Sequence, residues 1–139
     1  MKPIPTIVLL GCGGVLVYDS AASIASRLIG FPYAFAAIGS LAIYVLAGAA
    51  TARHGSVRAA ALVGAAIGVT ESTLGWIGSA LLGAGQLPSG HYAVARAVTT
   101  IALVVALAAV AAAIGARLSG GRAGSVSGAA VSGGTGRPN

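Results

Sequence analysis

The sequence predicts an all-α integral membrane protein of four transmembrane helices, arranged as two antiparallel hairpins. Three observations carry that expectation. Charged residues make up 7% of the chain and hydrophobic ones 57%, whereas a soluble domain draws about a quarter of its residues from Asp, Glu, Lys and Arg. Stretches 28–52 and 97–116 contain no Asp, Glu, Lys, Arg or His, and each supplies the ~20 apolar residues that cross a bilayer as a helix. Two further stretches, 4–26 and 59–82, qualify with one acid apiece.

The first helix is expected over 4–26, apolar through Tyr18 and holding Cys12 and Asp19; "RLIGFP" (27–32) ends it with Gly and Pro. A second follows over 33–52 and stops at "RHGSVR" (53–58). The third, 59–82, carries Glu71 in the middle of "GVTESTLGW" and ends at "GAGQLPSGH" (83–91), and the fourth spans 93–116. Such short connections place consecutive helices antiparallel and adjacent. The roughly ten-residue alternating segments of a membrane β-barrel are absent from the sequence. A transmembrane domain over 1–118 is therefore expected, followed by a disordered Gly/Ser-rich tail, "SGGRAGSVSGAAVSGGTGRPN" (119–139).

The net charge of +6 resides between the apolar stretches. Lys2, Arg53, Arg58, Arg117, Arg122 and Arg137 would share one side of the membrane, with Arg27 and Arg96 toward the other. That bias sets both termini in the cytoplasm, and the small size and economical loops suit a bacterial inner membrane. The expected partners are the lipid bilayer and either further copies of the chain or a larger membrane complex. Nucleic acid is not expected, since no aromatic platform accompanies the basic residues. "MKPIPTIVLLGCG" has the outline of a lipoprotein leader, yet its apolar run continues past Cys12. As the single cysteine, Cys12 reads as a small packing residue.

The two acids are the informative residues. An Asp at the middle of a membrane helix costs about 2.5–3.5 kcal/mol on the insertion scale, so both Asp19 and Glu71 call for a partner or a use. "DSAASIASRLIG" (19–30) aligns with "ESTLGWIGSALLG" (71–83) apart from one extra residue, a weak internal repeat that would set the acids at similar depth. Two carboxyls so placed are expected to titrate as a coupled pair. Helical spacing puts Gly64, Gly68, Gly75 and Gly78 on the Glu71 face, and small residues let membrane helices approach closely. Thr70, Ser72 and Thr73 flank Glu71, with hydroxyls able to bond their own i−4 carbonyls. Cys12, Ala22, Ser23 and Ser26 share a face with Asp19. Arg96, at the start of a face continuing through Thr99 and Thr100, is the candidate partner of the acids, its guanidinium turned either inward or out to the headgroups. The candidate intramembrane polar site is thus Asp19, Glu71, Arg96, Thr70 and Ser72. Three readings stay open for it: a structural acid–arginine pair, a proton- or cation-handling site, and neutral acids that only hydrogen-bond.

His54 and His91 fall at opposite ends of the expected bundle, so neither a metal nor haem is expected, nor any other cofactor. Trp76, Tyr33 and Tyr92 read as interface anchors, and "GCGG" as packing glycines without the strand-to-helix context of a phosphate loop. With no hydrolytic or redox constellation, an enzyme is not expected. Four spans, an acid in the first and this length resemble the small multidrug exporters, whose dual-topology dimers imply a weaker charge bias than the one here. "GCGG" followed by "FPYAFAAIGSLAIYVLAG" resembles the start of the small fluoride channels, but "VTESTLGW" stands where their Thr- and Phe-rich motif belongs. The chain is assigned to neither. The functional expectation is a small transporter or channel-like protein using its carboxylates, against a structural or accessory membrane protein whose acids lock the helices together.

Overall fold

The computed structural model describes residues 3–30, 32, 35–82 and 89–120. The region expected as a tail therefore falls, beyond Gly120, outside the described residues, as do Lys2, Tyr33, Arg122 and Arg137. Four helices follow in order: α1 (Pro3–Ile29), α2 (Ala36–Ala52), α3 (Val57–Leu81) and α4 (Ala93–Gly120). Three of them, α1, α3 and α4, are long and apolar enough to cross a membrane; α2, apolar but 17 residues long, is shorter. At 1.5 Å per residue α2 reaches about 26 Å, against a hydrocarbon core of ~30 Å.

Local chemistry explains the boundaries. Pro3 opens α1, where its missing N–H costs nothing, and Gly30 closes it with φ +68°, the left-handed conformation that glycine adopts without a Cβ clash. Ser56 caps α3 by accepting from the Ala59 N–H at 3.2 Å. α1 and α4 run past their expected ends at 26 and 116 because the apolar run, not the helix, stops there. Ser119 continues the last turn of α4 by donating to the Gly115 and Ala116 carbonyls, both at 3.0 Å.

Helix directions follow from the contacts. Tyr18 meets the Gly39 position and Ile4 meets Gly55, so α1 and α2 are antiparallel. Gly64 packs toward Ala108 and Ala112 while Gly68 packs toward Val105 and Ala108, which makes α3 and α4 antiparallel as well. α1 and α3 run side by side in one direction: Gly11 meets Ile67, Asp19 meets Gly75 and Ser23 bonds Ser79 at 3.2 Å. The core is built of small and medium side chains, among them Val15, Ala47, Val63, Ile67, Ala108 and Ala111 around Tyr44. Larger apolar residues such as Leu9, Leu46, Leu62, Leu103 and Val110 point outward. Small inside and large outside is the arrangement of a helix bundle in lipid, where close backbone approach rather than hydrophobic exclusion drives association. A Cβ at Gly48 would land on the Ala112 carbonyl, and one at Gly115 on that of Val45.

One departure from the expected fold matters for the site. Between Glu71 and Gly75, α3 widens into a single π turn, and the Trp76 N–H donates back to the Glu71 carbonyl. An i→i+5 turn inserts one residue and re-phases everything after it. The expected single glycine face is therefore split: Gly64 and Gly68 meet α4, Gly75 meets Asp19 on α1, and Gly78 has nothing within 4 Å.

Candidate functional site

A half-open cavity of about 220 Å³ lies between the four helices near the N-terminal end of α2. Its position follows from helix length. The contact of Tyr18 with Gly39 sets the start of α2 level with the Asp19 turn, and α1 runs on to Ile29, about 15 Å further at 1.5 Å per residue. Asp19 of α1 and Glu71 and Ser72 of α3 supply the polar wall; Ala36 and Ala37 of α2, with Trp76, Thr100 and Val104, complete it. The N-terminus of α2 has no side-chain cap, and the helix dipole directs a partial positive charge toward the end where both acids gather.

Asp19 is 5% exposed. Its carboxylate lies over Gly75, where a Cβ would sit 2.5 Å from Oδ2, so the absence of a side chain at 75 is what admits the acid. Glu71 begins one turn lower on α3, and its Cγ is 3.6 Å from that same Cβ position. The two carboxyls thus flank Gly75 from opposite helices. The Ser40 hydroxyl of α2 donates to Glu71 Oε1 at 2.5 Å. Glu71 Oε2 is buried with no hydrogen-bond partner among the described residues.

The remaining sequence candidates divide. Ser72 lines the cavity, though its hydroxyl donates to the Gly68 carbonyl at 2.7 Å. Thr70 is turned toward α1: its hydroxyl reaches the Ala66 carbonyl at 3.1 Å and lies 3.2 Å from Cys12 Sγ. Thr73 likewise returns to the Val69 carbonyl at 2.6 Å. Arg96 is exposed on the first turn of α4 and does not line the cavity. The structure therefore brings together Asp19, Glu71 and Ser72, and sets Thr70 and Arg96 apart from them. Trp76, read from the sequence as an interface anchor, is half-buried in the cavity wall. Sequence reasoning missed Ser40 altogether; the only signal was a lone hydroxyl one turn before Tyr44 in "AIGSLAIY".

Set against protein-family models, curated proteins and solved structures, the chain matches none. The site is read from its own chemistry. It offers two carboxylates, hydroxyls and an indole in a half-open, partly apolar cavity, a set suited to holding a cation or exchanging a proton. No group of three or more His, Cys, Asp or Glu that could hold a metal occurs among the described residues.

Proposed function

We propose that the chain is a four-span protein of a bacterial inner membrane, both termini cytoplasmic, and that it is a proton- or cation-linked transporter or channel-like protein rather than an enzyme. The observation that carries this reading is that Asp19 and Glu71, the only acids of the chain, line one half-open cavity whose wall includes no arginine among the described residues. Each acid is expensive in lipid. Their gathering around space, instead of around a guanidinium, supports use over structural locking. In this reading α2 is the fourth span, and its late start, level with the Asp19 turn, leaves the cavity reachable from the end bearing Arg27 and Arg96, opposite the cytoplasm.

A second reading has its own observation. Ser40 ties α2 to α3 through Glu71, and such a bond would serve a purely structural acid equally well. Flux separates the two. Proteoliposomes loaded with a pH-sensitive dye, assayed at several pH values with sodium or potassium gradients, should show proton or cation movement that Glu71→Gln and Asp19→Asn each reduce at least tenfold. Wild-type liposomes indistinguishable from empty ones at every pH would leave the structural role standing instead.

A further inference from the structure

We propose that the cavity binds a small organic ammonium ion, its charge held between Asp19 and Glu71 and its apolar substituents laid against Trp76; this rests on the reading of the cavity as a cation site. Charge and ligand sign come first. Asp19 is 95% removed from solvent, lines the cavity and has no hydrogen bond or ion pair among the described residues, while Glu71 Oε2 is buried and unpartnered beside it. Buried acceptors without donors, facing a cavity, fit a cation.

Size and wall chemistry then decide which cation. The volume of about 220 Å³ is several times the ~30 Å³ share of a water molecule, yet below the roughly 300–1,000 Å³ of pockets that hold drug-sized ligands. A bare metal ion prefers six or more oxygens at close range if it is a hard cation, whereas half of this wall, Ala36, Ala37, Trp76 and Val104, is apolar. An alkylated ammonium fills such a space without needing oxygens all round it, and the face of an indole attracts it further.

The π turn supplies the third strand of support. Residues five apart in an α-helix lie about 140° apart around the axis, which would send Glu71 and Trp76 to different sides of α3. The hydrogen bond from the Trp76 N–H to the Glu71 carbonyl closes the wider turn and stacks the two residues on one face. Both then line the same cavity. A carboxylate and an aromatic face brought together by a backbone irregularity form a site for a group that is both cationic and apolar.

The test uses the full chain in detergent, titrated calorimetrically with tetramethylammonium chloride, with sodium chloride at matched ionic strength, and with tert-butanol as the neutral counterpart. Because Trp76 is the single tryptophan, its fluorescence reports the cavity independently. Tetramethylammonium should bind saturably and change that fluorescence, and neither sodium nor tert-butanol should reproduce it. Glu71→Gln and Asp19→Asn should each weaken binding at least tenfold; Trp76→Leu should weaken it by roughly five- to thirtyfold, the range of a desolvated cation–π contact, with Trp76→Phe close to wild type. Arg96→Ala should bind as wild type. The Trp76 pair decides the matter even where an acid variant does not fold. Binding equal to that of tert-butanol, or unaffected by both Trp76→Leu and Glu71→Gln, overturns the proposal. Proton or sodium flux persisting without tetramethylammonium binding removes this inference alone, and loss of both removes the cation-site reading with it.

Discussion

Gly75 and Gly48 are both glycines in close quarters, but what they face differs, and so should the effect of a methyl group. At Gly48 the obstruction is the backbone carbonyl of Ala112, which cannot move without shifting α4. Gly48→Ala should therefore destabilise the protein by about 1–3 kcal/mol, the usual cost of overpacking, as measured by unfolding in mixed detergent. At Gly75 the obstruction is the tip of the Asp19 side chain, which can swing aside. Gly75→Ala should leave stability within about 1 kcal/mol of wild type while cutting flux at least tenfold, because Asp19 is displaced from its place beside Glu71. Equal destabilisation by both, with flux unaffected in Gly75→Ala, would show that Gly75 serves packing only. The acids themselves were legible in the sequence, since a lone charge in an apolar run is too costly to pass unnoticed. Their partner was not. A serine hydroxyl such as that of Ser40 also reaches its own i−4 carbonyl, Ala36 at 3.5 Å, and so can sit in any membrane helix with little sequence trace.

At the level of the element, the π turn of α3 is the feature that helical periodicity could not foresee. A run of Thr70, Glu71, Ser72 and Thr73 reads as a polar band around an ordinary α-helix, and the wider turn becomes visible only through the Trp76 to Glu71 bond. The consequence was a misplaced glycine face. Removing Thr73 should restore uninterrupted i→i+4 bonding with Glu71 and Trp76 four apart, about 40° around the axis and so still on one face. Helical circular dichroism, the fluorescence of Trp76 and flux should then all stay close to wild type. Flux at background in the Thr73-deleted protein would show that the widened turn does more for the site than hold those two residues together. Helix ends were legible to within a few residues where a cap marks them, as at Ser56. They were least legible at Arg27 and Arg117, charged residues that end apolar runs inside helices that continue.

For the whole molecule, direction is the property most readily tested. Both hairpins enter the bundle the same way round, so the turn after α2 and the C-terminal end of α4 belong to one side, and the basic residues Arg53, Arg58 and Arg117 cluster there. A cysteine placed at the exposed His54 in a Cys12→Ala background should react with a membrane-impermeant maleimide in inverted vesicles and stay unreactive in intact cells. Labelling from the outside would reverse the proposed orientation. The all-α architecture was legible because composition alone rules out a water-solvated core; the unequal helix lengths were not, because α2 begins inside a stretch that is apolar on both sides of its first residue. Helix directions were legible from loop length, and they are what allow two acids far apart in sequence to meet.

The shortness of α2 also has a meaning for the lipid. A helix of 17 residues beside neighbours of 25 to 28 gives the protein a hydrophobic girdle of uneven height. Bilayers adjust to such mismatch by thinning locally or by letting the longer helices tilt, at fractions of a kcal/mol per Å. Acyl chains next to α2 would have to dip toward the mouth of the cavity, which makes lipid length a control on entry. Flux in a series of phosphatidylcholines from 14 to 22 carbons should accordingly pass through a maximum at the shorter end and decline as the membrane thickens over the α2 terminus.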